Sequence, residues 1–474
     1  MTQTHEDNAT SAPDAVAAAT DAAEGTRNAF DAGVTRSLKW RRAQLKALEA
    51  MLTESAPLIH EAMKADLGKT TAEAHITEVT SVLEEISHLS RNLKRWTKDR
   101  RRRSTPIIGT SRAWVQRQPL GPVLIIGPWN YPIHLVLMPL AGAIAAGNSA
   151  VIKPSELAPE CSRLLAELIP QYLDSDAIRV VEGAVDETTA LLGHPWGHIF
   201  YTGNGTVGSI VMTAAAKHLT PVTLELGGKS PLWIDDSVSI KKAARSIAWG
   251  KFTNCGQTCV APDFVLTTAD VADQLAREVT LAIEEFYGRE PRQSKDYGRI
   301  VNDRHTERLS GLLGAGTLVT GGDVDVAQRY VAPTVLLDVD LDDPVMQDEI
   351  FGPILPIVIV DDLDEAIEII NERPHPLALY AYTKRRTVRK EFAARTTSGG
   401  LTFNTSVVQL SVPDLPFGGV GASGMGAYHG ERSIQTFTHE RSVLHKTRGL
   451  DFTRFVRPPY GARKTKVLTT VKSP

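Results

Sequence analysis

Between about residue 120 and residue 267, short β-branched runs (PVLIIG, SAVIKP, IRVVEG, HIFYTG, PVTLEL and SPLWI) alternate with helix-length stretches rich in Ala and Leu. No other feature narrows the fold as much. Near-continuous apolar runs suit strands buried on both faces, and parallel strands need a crossover, usually helical, to bring the chain back. The alternation therefore predicts an α/β parallel sheet. A second series follows, with DFVLTT, a helix around Leu281, APTVLLD, ILPIVIV and DEAIEII, so two α/β domains are expected in tandem, without an internal sequence repeat.

The flanks read differently. Residues 1 to about 26 are rich in Ala, Thr and Asp without an apolar period, which predicts a disordered tail. From there to about Trp96, Leu, Ala and Ile recur with helical spacing, and the basic run Lys98 to Arg103 reads as a solvated helix end or loop. Past Gly430, HERSVLHK reads as a late strand, and the basic, Pro-containing tail from Thr447 as a surface-wrapping arm with little helical periodicity.

Composition excludes several classes. With 474 residues, 42% hydrophobic and 23% charged, the chain is an ordinary soluble globular protein with material for two or more domains. Its 52 basic residues balance 55 acidic ones, so the overall field does not favour polyanions and nucleic acid is not an expected partner. Only Cys161, Cys255 and Cys259 occur, a sparse odd set that suits a reduced compartment, with the cytoplasm as the expectation. The longest apolar stretch, Leu135 to Ala146, is too short to span a bilayer and contains Pro139 and Gly142. No Lys or Arg precedes Arg27, so the charged start of a secretory signal is missing.

Four loops hold chemistry-bearing residues. Gly203-Asn204-Gly205-Thr206-Val207-Gly208 lies between the run HIFYTG and the helical stretch IVMTAAAKHL, the context in which glycines let backbone approach a pyrophosphate at a helix N-terminus. Glycine pairs also serve such turns sterically. A standard dinucleotide reading would assign Glu225, seventeen residues on, to a ribose hydroxyl. Asn254-Cys255-Gly256-Gln257-Thr258-Cys259-Val260 places two cysteines four apart. A zinc site needs two further ligands that the neighbourhood does not offer, and buried free cysteines commonly act as small hydrophobes. Glu225-Leu226-Gly227-Gly228 puts a carboxylate at a strand end, where α/β sheets carry reactive groups and where a solvated acid is also common. Gly127-Pro128-Trp129-Asn130-Tyr131-Pro132 offers an amide either to cap a helix or to meet a developing oxyanion.

Taken together, PWNYP, IKPSE, YTGN, ELGGKSP, GQTCVAPD, EIFGPILP and LPFGGVGASGMGAYHG occur in an order that resembles the aldehyde dehydrogenases. Their wording is similar to the class 3 branch, with its fatty and aromatic aldehyde dehydrogenases, from about residue 30 to about 446; PPYGARKTK in the tail is similar too. The resemblance implies two tandem doubly wound parallel-sheet domains, one a non-standard Rossmann cofactor domain and one catalytic, with a small β oligomerisation arm. The implied bounds are a tail over 1–26, a cofactor-binding domain over 27–108 and 120–226, and a catalytic domain over 227–426. The oligomerisation strands would span 109–119 and 438–447, with a return helix over 427–437 and a C-terminal arm over 448–474.

Carried over by motif, the resemblance implies Cys259 as nucleophile, Glu225 as general base and Asn130 as oxyanion donor alongside the Cys259 backbone N–H. Lys153 and Glu156 would hold the adenosine ribose, with Trp129, Gly203 and Gly208 along the cofactor and Glu349 and Phe351 at the nicotinamide ribose and ring. Tyr131 and Phe417 would border the substrate. This use of Glu225 removes the ribose role from it. The implied activity is NAD-dependent oxidation of aliphatic or aromatic aldehydes to carboxylic acids, with NADP possible, through a Cys259 thiohemiacetal and thioester. No metal is implied. A homodimer is implied in which HERSVLHK joins a strand around Arg112 to Arg117. Ala422 and Gln409 depart from class 3 wording, which commonly has Asn and His there, and no hydrophobic tail like that of membrane-anchored members closes the chain. A CoA-acylating enzyme and a non-catalytic binding or structural member are the competing readings.

Overall fold

The computed structural model describes residues 12–105, 108, 110–446, 453 and 456–470. Its first sheet has the strand order Gly424–Met425, Val222–Glu225, His198–Thr202, Val123–Ile126, Ala150–Lys153, Ile178–Val180. All pairings are parallel except that of Gly424–Met425, which lies antiparallel to Glu225 and Leu224. The chain winds outward one way from Val123–Ile126, then returns to its other side with His198–Thr202. That reversal is the topological switch point, and the crevice beyond the carboxyl ends of the strands is where such sheets bind ligands. Helices His134–Ala146 and Pro159–Tyr172 pack against this sheet, the former buried along almost its whole length.

A second sheet follows the order Thr317–Thr320, Thr334–Leu337, Ile354–Ile359, Phe264–Thr267, Pro231–Ile234, Ala378–Tyr382, Gly400–Phe403. It is parallel except at Thr317–Thr320. Two parallel-sheet cores therefore stand in tandem, as the alternation of runs predicts. Thr438–Lys446 pairs residue for residue with Ser111–Pro119 in a third, antiparallel sheet. The expected late strand and its partner around Arg112 to Arg117 are thus adjacent.

Five expectations need correction. The tail predicted over 1–26 is helical from Ala12, within Ala12–Asp31; residues 1–11 lie outside the described residues. Ala15, Ala19, Ala22 and Ala23 are buried on one face, a helical period written in alanine, and Arg179 anchors Asp21 at 2.6 Å. The basic run is not a helix end: Arg100–Arg102 forms an edge strand against Ala113–Val115, where Arg100 pairs with Glu431. Gly424–Met425 belongs to the first sheet, so the span 227–426 does not stay within one core. The tail after Thr447 contains an exposed helix, Ala462–Thr470, while 447–452, 454–455 and 471–474 lie outside the described residues. The expected return helix is the shorter Glu431–Thr436. Among the described residues, no helix is long and apolar enough to cross a membrane.

Candidate active site

The carboxyl edge of the first sheet gathers the motif residues. Lys153 and Glu225 are the last residues of their strands, Gly203 follows Thr202, and Ile126 leads into the loop holding Trp129 and Asn130. Backbone bonds tie the edge together, with Gly203 N–H donating to Glu225 O at 3.0 Å and Leu226 N–H to Ser423 O at 3.1 Å. Glu225 is buried and neither carboxylate oxygen accepts a hydrogen bond from another residue. Burial without a partner disfavours the anion, so its pKa lies well above the ordinary carboxylate range. A Cβ at Gly227 would fall 1.9 Å from Glu349 Oε2, so the ELGG turn needs glycine there for close approach. Glu349 is also pushed up, to about 8, first by burial and then by Asp263, with the Gly228 N–H opposing.

Cys259 follows a strained turn. Asn254, Cys255 and Gly256 all take left-handed backbone, with φ of 52°, 51° and 72°. At Gly256 a Cβ would lie 2.2 Å from Gly352 O. Strain of this kind persists only where the surroundings over-determine it. Gln257 does so here, donating to Asn254 O and Arg299 O at 3.0 Å each and accepting from Val301 N–H at 3.0 Å. Cys259 emerges half-buried on the wall of the cleft. Burial, then Glu349 and Glu225, push its thiol up, while the Cys259 and Val260 N–H groups pull the other way. Cys255 turns into the second core and is buried among its apolar side chains. The structure thereby separates the two cysteines: one lines the cleft, the other packs.

The cleft encloses about 570 Å³ and is lined by Trp129, Asn130, Lys153, Glu156, Gly203, Glu225, Cys259, Glu349 and Phe351. Asn130 is buried and its Nδ2 donates to Gln257 O at 3.0 Å, which occupies one of its two N–H groups. Trp129 and Phe351 meet edge to face at 5.3 Å. Lys153 pairs with Glu156 at 2.7 Å.

Three motif residues stand apart from the cleft lining. Gly208 packs behind it, where a Cβ would touch Leu226 and Tyr201. Tyr131 is buried, its hydroxyl 2.6 Å from Thr258 Oγ1. Phe417 stacks on His429 at 5.5 Å. Sequence reading passed over His305 and Arg308, which line the same cleft without belonging to a motif. Of the two departures from class 3 wording, Ala422 is exposed, and Gln409 donates to the Tyr380 hydroxyl at 3.0 Å, which itself donates to Val260 O at 2.6 Å. Among the described residues, no group of three or more His, Cys, Asp or Glu could hold a metal ion.

Known proteins share this arrangement over nearly the whole chain. The sequence model of the aldehyde dehydrogenase family matches residues 2–443. Rat "Aldehyde dehydrogenase, dimeric NADP-preferring" is 49% identical over 427 residues, 90% of this chain and 94% of that one. Rat "Aldehyde dehydrogenase family 3 member B1" is 48% identical, covering 94% and 96%. Among solved structures, a substrate-bound Staphylococcus aureus AldH superposes with a TM-score of 0.91 at 43% identity, over 94% of this chain and 97% of that one. A Mycobacterium tuberculosis aldehyde dehydrogenase complexed with NAD+ gives 0.82 at 28% identity, over 92% and 90%. With two parallel-sheet cores, a cleft at the switch point and matches of this extent, the chain belongs to the aldehyde dehydrogenase family, on its class 3-like branch.

Proposed function

We propose that the chain oxidises aldehydes to carboxylic acids with NAD or NADP, using Cys259 as nucleophile, Asn130 as oxyanion donor and Glu225 as general base. The observation that carries the reading is that these three side chains, from three separate loops, line one cleft. The cleft suits a dinucleotide. Its volume lies within the range of cofactor sites, the N-cap Asn204 and Val207 of helix Gly205–Ala216 border it, and Thr202 Oγ1 is buried there with no protein partner. Lys153 and Glu156 would hold one ribose, and Glu349 and Phe351 would hold the nicotinamide end. Glu156 disfavours a 2′-phosphate by charge, but its ion pair with Lys153 offsets part of that repulsion, so both cofactors are admitted. Cytoplasmic residence and a homodimer joined through Thr438–Lys446 complete the reading.

The side chains divide the chemistry. Deprotonated Cys259 sulfur adds to the aldehyde carbon, and the oxyanion that develops meets the second Asn130 N–H and the Cys259 backbone N–H. A nicotinamide held by Glu349 and Phe351 would supply the acceptor for the hydride that this adduct must lose to become a thioester. Glu225, in its base form, takes a proton from water as the water attacks the thioester carbon, releasing the carboxylic acid and restoring Cys259. A buried carboxyl with no fixed partner is free to accept that proton, which favours hydrolysis over transfer to a CoA thiol.

Two outcomes are expected. Across aliphatic and aromatic aldehydes, one carboxylate should form per reduced cofactor, and CoA should leave the rate unchanged; an acyl-CoA product would establish the competing chemistry. Gly227→Ala should displace the Glu349 carboxylate and raise the KM for NAD about tenfold, with a smaller change in the KM for aldehyde. Equal changes in both constants would remove Glu349 from the cofactor site.

A further inference from the structure

Behind Asn130 lies a buried ionic cluster that the chemistry above does not use. Lys69 sits just past helix Ala56–Leu67, after Gly68 with φ of 66°, and is 1% exposed. Its Nζ is 2.7 Å from Glu78 Oε1, donates to the Asn130 carbonyl at 3.1 Å and lies 3.9 Å from the Tyr131 ring centroid. Glu78 is fully buried, and its second oxygen accepts from Ile133 N–H at 3.2 Å and His134 N–H at 2.9 Å, where the next helix begins. The pair thus holds the loop at the Asn130 carbonyl itself and again at the Ile133 and His134 amides, just after the turn.

The same cluster reaches the cysteine loop. Glu73 Oε1 accepts from Asn254 N–H at 2.8 Å, at the first residue of the left-handed turn. Asn254 Nδ2 then donates to Asn130 O at 2.9 Å and to Gln257 O at 3.1 Å, the carbonyl that also receives the Asn130 amide. Glu78 lies in a π-helical turn, His75–Thr80, a widened geometry found disproportionately at functional sites. Burying an ion pair is costly, and well-packed apolar residues often replace one without loss of stability, so fold stability alone does not account for it.

We propose that Lys69 and Glu78, assisted by Glu73, are positioning residues for acylation: they lock the peptide of Asn130 against the loop of Cys259 so that the Asn130 amide meets the oxyanion. This rests on Asn130 being the oxyanion donor. The test is a double-mutant cycle on the full chain, measuring the rate of the single-turnover NADH burst for Lys69→Met, Asn130→Ala and both together. Lys69→Met should slow the burst on the order of 10- to 100-fold while leaving the Kd for NAD within about twofold, because misplacement rather than lost binding is the defect. In the Asn130→Ala background, Lys69→Met should add little further loss. Full additivity would overturn the proposal. If Asn130→Ala alone leaves the burst intact, the oxyanion assignment itself fails, a result distinct from additivity. Should Lys69→Met not fold, Glu78→Gln, which keeps the side-chain volume, enters the same cycle with the same expected coupling.

Discussion

Cys259→Ala should abolish aldehyde-dependent NADH formation, with residual turnover on the order of 10⁵-fold below the parent chain. The expectation follows from placement: the sulfur is on the cleft wall with Asn130 and Glu225, and no other cysteine among the described residues lines that cleft. Cofactor binding should survive, because Cys259 is only half-buried and touches the apolar core from its edge. Cys255→Ala is the matched control. Its sulfur faces the second core, so the variant should lose thermal stability and keep the burst. Rapid burst kinetics with both variants checks the pair, and a burst in Cys259→Ala would remove the nucleophile from its role.

Glu225→Gln carries the second large effect. The burst should persist while steady-state turnover falls on the order of 10²- to 10⁴-fold, since the base acts only when the thioester is hydrolysed. The pH dependence has a definite sign. Burial raises the folded pKa of Glu225, so the acid form dominates at low pH and the base form accumulates as pH rises. Turnover limited by hydrolysis should therefore climb with pH through a group titrating well above the usual carboxylate range. That limb should vanish in Glu225→Gln. A limb of the pH profile that survives unchanged in Glu225→Gln, measured with buffers of constant ionic strength, would contradict the assignment.

Much of this was legible in the sequence because parallel strands announce themselves. Runs such as VLII and HIFYT are buried on both sides, so their centres are apolar, and each is followed by a turn residue at the sheet edge. That edge carries Glu225 and Asn130, whereas Cys259 comes from the loop that precedes strand Phe264–Thr267. Ala378–Tyr382 escaped notice because two of its five buried residues are alanine, which gives no β signal. The helix Ala12–Asp31 was hidden for a related reason: its buried face is built from alanines that read as low complexity. At Arg100–Arg102, ladder pairing with Ala113–Val115 and ion pairing to Glu431 override a sequence with little strand character.

The site was legible only as far as its motifs. Lys69 and Glu78 are nine residues apart across a π-helical turn, and their meaning appears only when they reach Asn130 and His134 far along the chain. Spacing rules for regular helices relate residues three or four apart and do not pair these two. The same limit applies to Ser423, whose carbonyl fixes Leu226 next to Glu225 from nearly two hundred residues away. Tertiary contact of this kind leaves no local trace. It is nonetheless what turns three loops into one cleft.

The central claim, a covalent thioester on Cys259 released by Glu225, is tested most directly by trapping it. Glu225→Gln is mixed with NAD and one equivalent of aldehyde, quenched in acid, digested and mapped by mass spectrometry. The account predicts an acyl increment on the peptide holding Cys259, absent from Cys255 and lost in the Cys259→Ala, Glu225→Gln double variant. An acyl group on another residue, or NADH released with no protein-bound acyl group, would contradict it.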